Sequence, residues 1–157
     1  MKHNNILITG GAGYIGSVLT GLLLSKNYKV TVVDNLLYKQ QSLTSYCYNK
    51  NFTFIKGDVR QLTDLVNLKD FDTIIPLAAI VGMPACDSNK HLATEINLDQ
   101  ITNIVNNTTK DQKLIIPNTN SQYGSSEHVI TEDSPFNPLS HYAETKCDAE
   151  DTVLNSP

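Results

Sequence analysis

Tyr142 and Lys146 stand four residues apart in the segment Ser140-His141-Tyr142-Ala143-Glu144-Thr145-Lys146. On a helix that spacing puts a phenol and an ammonium on one face. A buried ammonium beside a phenol stabilises the phenolate and draws a tyrosine down from its ordinary value of about 10. Such a tyrosine can take the proton of a sugar hydroxyl while hydride leaves the same carbon. The spacing alone is common on solvated helix faces, so its meaning depends on what surrounds it.

A second chemical signal is the run Thr9-Gly10-Gly11-Ala12-Gly13-Tyr14-Ile15-Gly16. It follows a short apolar strand and opens a helix, the context in which glycines let a backbone approach a pyrophosphate. The helix start adds unsatisfied N–H groups and a positive dipole end. Two registers fit: Gly11, Gly13 and Gly16 satisfy GxGxxG, and Gly10, Gly13 and Gly16 satisfy GxxGxxG. Asp34 ends the next strand, 18 residues after Gly16. A carboxylate there accepts hydrogen bonds from ribose hydroxyls and repels a 2′-phosphate, which favours NAD over NADP. Asp58, in Gly57-Asp58-Val59-Arg60, follows a third strand and also suits a helix N-cap.

These residues need a scaffold, and the pattern supplies one. Strands are expected at 6–8, 30–33, 52–55, 73–75 (stopped by Pro76) and 114–116 (stopped by Pro117). Apolar residues at 15, 18, 19, 22 and 23 mark one face of a helix. Further helices are expected at about 60–68, at 89–107, and from an N-cap at Ser140 to the end of the chain. Strands apolar on both faces and alternating with helices imply α/β architecture, a doubly wound parallel sheet; with the glycine loop and Asp34, an NAD-binding Rossmann fold is expected. The Ser-, Asn-, Gly- and Pro-rich stretch 118–138 reads as a long loop of functional interest.

Composition narrows the choices. With 157 residues the chain suits one domain, 1–157. A net charge of −4 argues against a general nucleic-acid binder. No apolar run approaches the ~20 residues of a membrane span. Met1-Lys2-His3-Asn4-Asn5 precedes only three apolar residues, so no secretory leader is expected. Cys47, Cys86 and Cys147 are odd in number and lack CxxC spacing, which suits a reducing cytoplasm and no zinc site. His91, His128 and His141 are scattered and are expected to be surface or loop residues. Cys86 is expected to be a packing residue, Cys147 to be slightly activated by neighbouring Lys146, and Tyr123 to pack at the edge of the site.

Taken together, the chain resembles the extended short-chain dehydrogenase/reductase family, in its branch of NAD-dependent sugar-nucleotide epimerases and dehydratases. Thr9 to Gly16 looks like that family's phosphate loop, with Gly10, Gly13 and Gly16 as its register and Tyr14 and Ile15 beside the cofactor. Asp34-Asn35-Leu36 resembles its ribose-binding strand end. Gly57-Asp58-Val59-Arg60 is similar to the motif whose Asp meets the adenine. Leu77-Ala78-Ala79 resembles the turn lying along the cofactor, and Asn97 matches an asparagine that braces the site. Asn118-Thr119-Asn120-Ser121-Gln122-Tyr123-Gly124 looks like the family's Ser/Thr-rich segment ending in Tyr-Gly.

The resemblance implies that Thr119 hydrogen-bonds the reacting sugar oxygen, with Ser121 as the fallback. It makes Tyr142 the acid/base and gives Lys146 the nicotinamide ribose. It also implies a nucleotide-sugar substrate and a homodimer paired through helices 89–107 and 140–157. Two departures stand out. The family's 4,6-dehydratases carry acids just after the catalytic Thr, where this chain has Asn120 and Ser121. That disfavours dehydration and leaves 4-epimerisation or C4 oxidation and reduction. Family members also run to about twice this length, so the chain is expected to be a fragment without the C-terminal substrate domain. The contrasting expectation is a non-catalytic NAD-binding sensor or interaction module.

Overall fold

The computed structural model describes residues 4–156; expectations that touch Met1–His3 or Pro157 lie outside the described residues. Short aliphatic and β-branched runs form five parallel strands. They are β1 (Asn5–Thr9), β2 (Lys29–Asp34), β3 (Phe52–Lys56), β4 (Thr73–Pro76) and β5 (Lys113–Leu114). Their spatial order is β3-β2-β1-β4-β5. Ile8 in the central strand pairs with Val32 on one side and Ile75 on the other. The chain steps outward from β1 to β3, then returns to the opposite side of β1 through β4. The direction therefore reverses between β1 and β4, the Rossmann-like switch point at which ligands bind.

The chain divides into two compact units. The first takes residues up to Ala78 and Asn106–Ile116 and contains the whole sheet. Its helix α1 (Tyr14–Ser25) follows from the apolar face read in the sequence. Leu19 and Leu23 from that face, joined by Leu24, pack with Ile6, Ile8, Val30, Val32 and Ile75. Ile15, Val18 and Leu22, expected on the same face, are exposed, because the buried side of the helix is centred on Gly16, Thr20 and Leu24. Tyr46 and Phe52 close the margin edge-to-face, with centroids 6.1 Å apart. The helix expected over 60–68 is broken. A 3₁₀ turn at Val59–Gln61 leads into the single turn α2 (Leu62–Leu65), and the backbone is extended at Val66. A second 3₁₀ turn, Leu68–Asp70, is capped by Asn67. Burial of both Leu62 and Leu68 is what the broken path achieves.

The second unit takes Ala79–Val105 and the residues from Pro117 onward. It contains α3 (Met83–Ser88), α4 (Lys90–Thr94) and α6 (His141–Leu154), while α5 (Gln100–Asn107) leads out of it. The sequence pattern missed α3, whose first turn carries Pro84, a residue favoured there because a helix start leaves its N–H groups unpaired. The helix expected at 89–107 starts after Asn89, whose side chain accepts from Leu92 N at 3.0 Å. It is not uniform: Glu95–Asp99 form a π-helical turn. Such a turn inserts one residue and is frequent at functional sites. Ser140 caps α6 as expected, its hydroxyl oxygen accepting from Ala143 N at 3.2 Å. The strand expected at 114–116 lies one residue earlier, with Ile115 N still donating to Ile74 O at 3.0 Å. Pro76 ends β4 inside the ladder rather than before it.

None of the helices among the described residues is long and apolar enough to cross a membrane. Leu7, fully buried in the central strand, is the natural probe of the sheet. Leu7→Ala leaves a cavity there and is expected to cost about 2–5 kcal/mol. Urea titration should show a lower midpoint with little change in slope.

Candidate active site

In the first unit the glycine loop sits at the switch point. Leu77 N donates to Thr9 O at 2.9 Å, which draws the segment after β4 against the end of β1. Gly10 follows with φ +67, and a Cβ there would lie 2.5 Å from Ala78 N. Only glycine fits such a left-handed residue against a neighbouring backbone. Gly13 differs: its φ is −72, and a Cβ there would meet only Gly10 O, at 3.2 Å. What its missing side chain provides is open space over the start of α1. Gly13 offers α1 no side-chain cap, so the first-turn N–H groups face that space without a partner from the cap residue. Tyr14 and Ile15 are exposed there, while Gly16 is buried against the loop backbone.

Asp34 is buried at the end of β2 and tied to the same loop. Its carboxylate accepts from Ala12 N at 3.0 Å and from Leu36 N at 2.8 Å. Ser42, which the sequence reading did not single out, donates to Ala12 O at 2.6 Å and holds the loop from outside. Asn35 closes a tight turn by accepting from Leu37 N at 2.9 Å. Asp58 caps the turn after β3 through Arg60 N at 3.0 Å, as its N-cap reading anticipates. The Arg60 side chain, donating to both carboxylate oxygens, holds Asp58 below the usual carboxylate range despite partial burial. Val59 turns its side chain into the core. Leu77 packs against the cluster around Ile8.

The second unit holds the other candidates, Thr119, Asn97, Tyr142 and Lys146, together with Ala79. The π-helical turn carries Asn97, 3 % exposed, into a fully committed position. Its carbonyl oxygen accepts from Ile80 N at 2.8 Å, and its amide nitrogen donates to Ile80 O at 3.0 Å. The same nitrogen donates to Thr145 Oγ1 at 3.3 Å. Asn97, which the resemblance makes a brace of the site, thus has both ends of its amide engaged by protein. Thr145, unnoticed in the sequence, passes the connection on by donating to Tyr142 O at 2.9 Å. The only available signal was its place between Tyr142 and Lys146 on the helix.

Lys146 is 7 % exposed, and its ammonium has no hydrogen-bond or ion-pair partner among the described residues. Burial pushes its pKa down from the ordinary lysine value. Tyr142 is half-buried one turn earlier on α6. Thr119 precedes the 3₁₀ turn Asn120–Tyr123, and its hydroxyl oxygen accepts from Ser121 N at 3.2 Å. The oxygen thus caps the turn, which leaves the hydroxyl hydrogen free to donate elsewhere. Asn118, whose side chain binds Glu150 of α6, accepts from Thr119 N at 2.8 Å. Tyr123 packs edge-to-face on Phe136 with centroids 5.5 Å apart.

The remaining candidates resolve simply. His91 and His128 are exposed, as expected. His141 is not a surface histidine: its ring is mostly buried and contacts α4, 3.0 Å from Thr94 Oγ1 and 3.1 Å from Lys90 O. The chain distance of about fifty residues between them hid that contact. Burial pushes the Cys86 and Cys147 thiols up, which makes both poor nucleophiles. Cys147 is therefore not activated as its place beside Lys146 suggested, because burial and the nearby Asp148, Glu150 and Asp151 all oppose its thiolate. No cluster of three metal-ligating side chains occurs among the described residues.

Comparison with known proteins agrees with this arrangement. The family model described as the NAD dependent epimerase/dehydratase family matches residues 6–156. A UDP-glucose 4-epimerase of Cyamopsis tetragonoloba is 29% identical over 94% of this chain and 46% of its own. The structure of the UDP-Glc/GlcNAc 4-epimerase from Campylobacter jejuni superposes with a TM-score of 0.86. It is 28% identical, over 96% of this chain and 48% of that one. A Bacillus cereus UDP-glucuronic acid 4-epimerase, solved with UDP-glucuronic acid and NAD, gives a TM-score of 0.81. It is 27% identical, over 95% of this chain and 51% of that one. The chain thus spans about half the length of the relatives it matches.

A largely buried lysine without a counter-charge has a stability signature whose sign can be worked out. The unfolded chain holds the Lys146 proton more tightly than the native state does. Stability therefore rises with pH between the depressed native value and the unfolded value near 10.5. Lys146→Met removes the cost and keeps the shape. It is expected to stabilise the nucleotide-free protein at neutral pH by about 1 kcal/mol and to flatten the alkaline rise. Urea titrations of both proteins across neutral and alkaline pH measure this, and a destabilised Met variant would contradict it.

Proposed function

Because the chain belongs to the NAD dependent epimerase/dehydratase family, whose model spans residues 6–156, we propose that it forms the NAD-binding and catalytic half of a nucleotide-sugar 4-epimerase. Buried Lys146 carries this reading, together with its place one turn from Tyr142. A fold keeps an unpaired buried ammonium at a cost to stability, and a ligand that accepts from it gives the reason.

The residues present fit NAD. The space over Gly13 and the uncapped start of α1 suit a pyrophosphate. Asp34, fixed by two backbone amides, suits ribose hydroxyls and disfavours a 2′-phosphate. Gly10, Gly13, Tyr14, Ile15 and Gly16 would line the pyrophosphate, with Asn35, Asp58, Val59, Leu77, Ala78 and Ala79 along the adenosine and nicotinamide sides. Lys146 would hold the nicotinamide ribose. When bound, NAD supplies reversible hydride acceptance. Tyr142 would take the proton of the C4 hydroxyl while hydride left that carbon for NAD, and would return the proton when the hydride came back to the other face. Thr119 donates its free hydroxyl hydrogen to the C4 oxygen, and Ser121 is the neighbouring fallback donor.

Asn120 and Ser121 stand where a proton-transferring acid would serve 4,6-dehydration, so epimerisation is the better-supported outcome. Family membership favours an enzyme over a non-catalytic NAD sensor. The same reading pairs two copies through helices 89–107 and 140–157. Glu144, Asp148 and Asp151 are exposed on α6, so a partner helix there has to accommodate three carboxylates. A reducing cytoplasm suits the three free thiols.

Two measurements on the natively purified gene product test the proposal. Denaturation should release NAD(H), and native mass should give the length and copy number of the polypeptide. Tyr142→Phe should lower C4 epimerisation of UDP-glucose, UDP-N-acetylglucosamine or UDP-glucuronic acid by at least about a hundredfold, with NAD(H) still bound. Undiminished turnover in a folded Tyr142→Phe protein would reject the assignment.

A further inference from the structure

We propose that His141 is a positioning residue: by fastening the first turn of α6 to α4, it aims the side chain of Tyr142. This rests on the acid/base reading of Tyr142. The argument begins with the weakness of helix starts, where the first N–H groups have no intrahelical acceptor and the turn frays. Tyr142 is the second residue of α6, within that turn. Lys146 lies one turn deeper, where the helix is buried on its inner side.

Two devices oppose fraying. Ser140 accepts from Ala143 N at 3.2 Å and from Glu144 N at 2.9 Å, the first through its hydroxyl and the second through its carbonyl. These bonds hold the turn together but leave its direction free. His141 supplies the direction. Its Nε2 lies 3.1 Å from Lys90 O, which can only accept, so Nε2 carries the hydrogen. Thr94 donates its own hydroxyl to Lys90 O at 3.0 Å, leaving Oγ1 to accept from the same Nε2 at 3.0 Å. The ring therefore makes a shared donation to two oxygens of α4. Its other nitrogen faces Glu144 Oε2 at 3.4 Å, a longer contact to an exposed side chain. The π-helical turn that holds Asn97 follows α4 directly. Asn97 reaches Tyr142 O through Thr145, so the backbone of Tyr142 is fixed from both sides by one helical run.

Activity, affinity and amide exchange separate aiming from mere stability. His141→Ala is expected to lower kcat about tenfold while leaving the KM for the UDP-sugar and the Kd for NAD within about twofold. In the nucleotide-free protein, exchange of the Ala143 and Glu144 amides should speed up while Ala149 and Glu150 are unchanged. His141→Gln, which keeps a donor of similar reach, should restore most of both losses. Thr94→Val combined with His141→Ala should cost less than the sum of the single changes, because the two share one contact. Wild-type kcat and exchange in His141→Ala would overturn the proposal. So would a parallel loss of kcat, KM and global stability, which marks a structural role alone. If Tyr142→Phe stays fully active the inference falls with its premise, and the exchange data then still report the tether by themselves.

Discussion

A lysine buried without a counter-charge is the constraint around which the helical unit is organised. Taking an ammonium out of water opposes packing, so α6 has to be held by other contacts if Lys146 is to stay in place. The structure supplies them on both sides of the lysine. Ser140 and His141 secure the turn before it. Thr145, the residue next to Lys146, is tied to Asn97 and through it to the backbone of Ile80. Glu150, one turn beyond, binds Asn118 beside Thr119. Each contact is polar and directional, which specifies a geometry more sharply than apolar burial does. The same bonds fix the backbone on which Tyr142 and Thr119 are carried.

The sheet unit solves a different problem, bringing backbone close to backbone. The ends of β1 and β4 are drawn together by Leu77 N on Thr9 O, and Gly10 can turn there only because it lacks a Cβ. Gly13 is under a milder pressure, since a Cβ there would meet only Gly10 O, at 3.2 Å. Asp34 and Ser42 then lock Ala12 from its N–H and its carbonyl in turn. Polar side chains again fix a loop, here so that its exposed N–H groups keep one orientation.

The strands, α1 and the cap of α6 were legible because they follow from local chemistry: apolar periodicity, glycine spacing and a serine before a helix. The parallel, doubly wound sheet followed from alternation of strands and helices, while the order of its strands comes from the structure. Other features were not legible, and the reasons differ. The π-helical turn depends on one inserted residue, and nothing in Glu95-Ile96-Asn97-Leu98-Asp99 announces it. The break at Val66 reflects burial of Leu62 and Leu68 together, a tertiary demand that local propensity does not encode. His141 looked like an isolated titratable residue because its partners, Lys90 and Thr94, lie in a distant part of the chain. Asn97 matched a motif, but only the structure shows that both ends of its amide are engaged.

Substrate choice within such a fold comes down to a few side chains, because the backbone frame is common to relatives acting on different sugars. Thr119 caps the 3₁₀ turn with its oxygen, so its hydrogen is the group left to offer. Asn120 and Ser121 follow it in a turn anchored by Asn137 N on Gln122 O. Neither is an acid at neutral pH, so on the proposed reading the proton transfer falls to Tyr142. A single acid and base that serves both directions of one alcohol oxidation suits a reaction that ends at the oxidation level where it began. Elimination of water from the sugar demands a second group of different acidity, and the sequence just after Thr119 does not supply it.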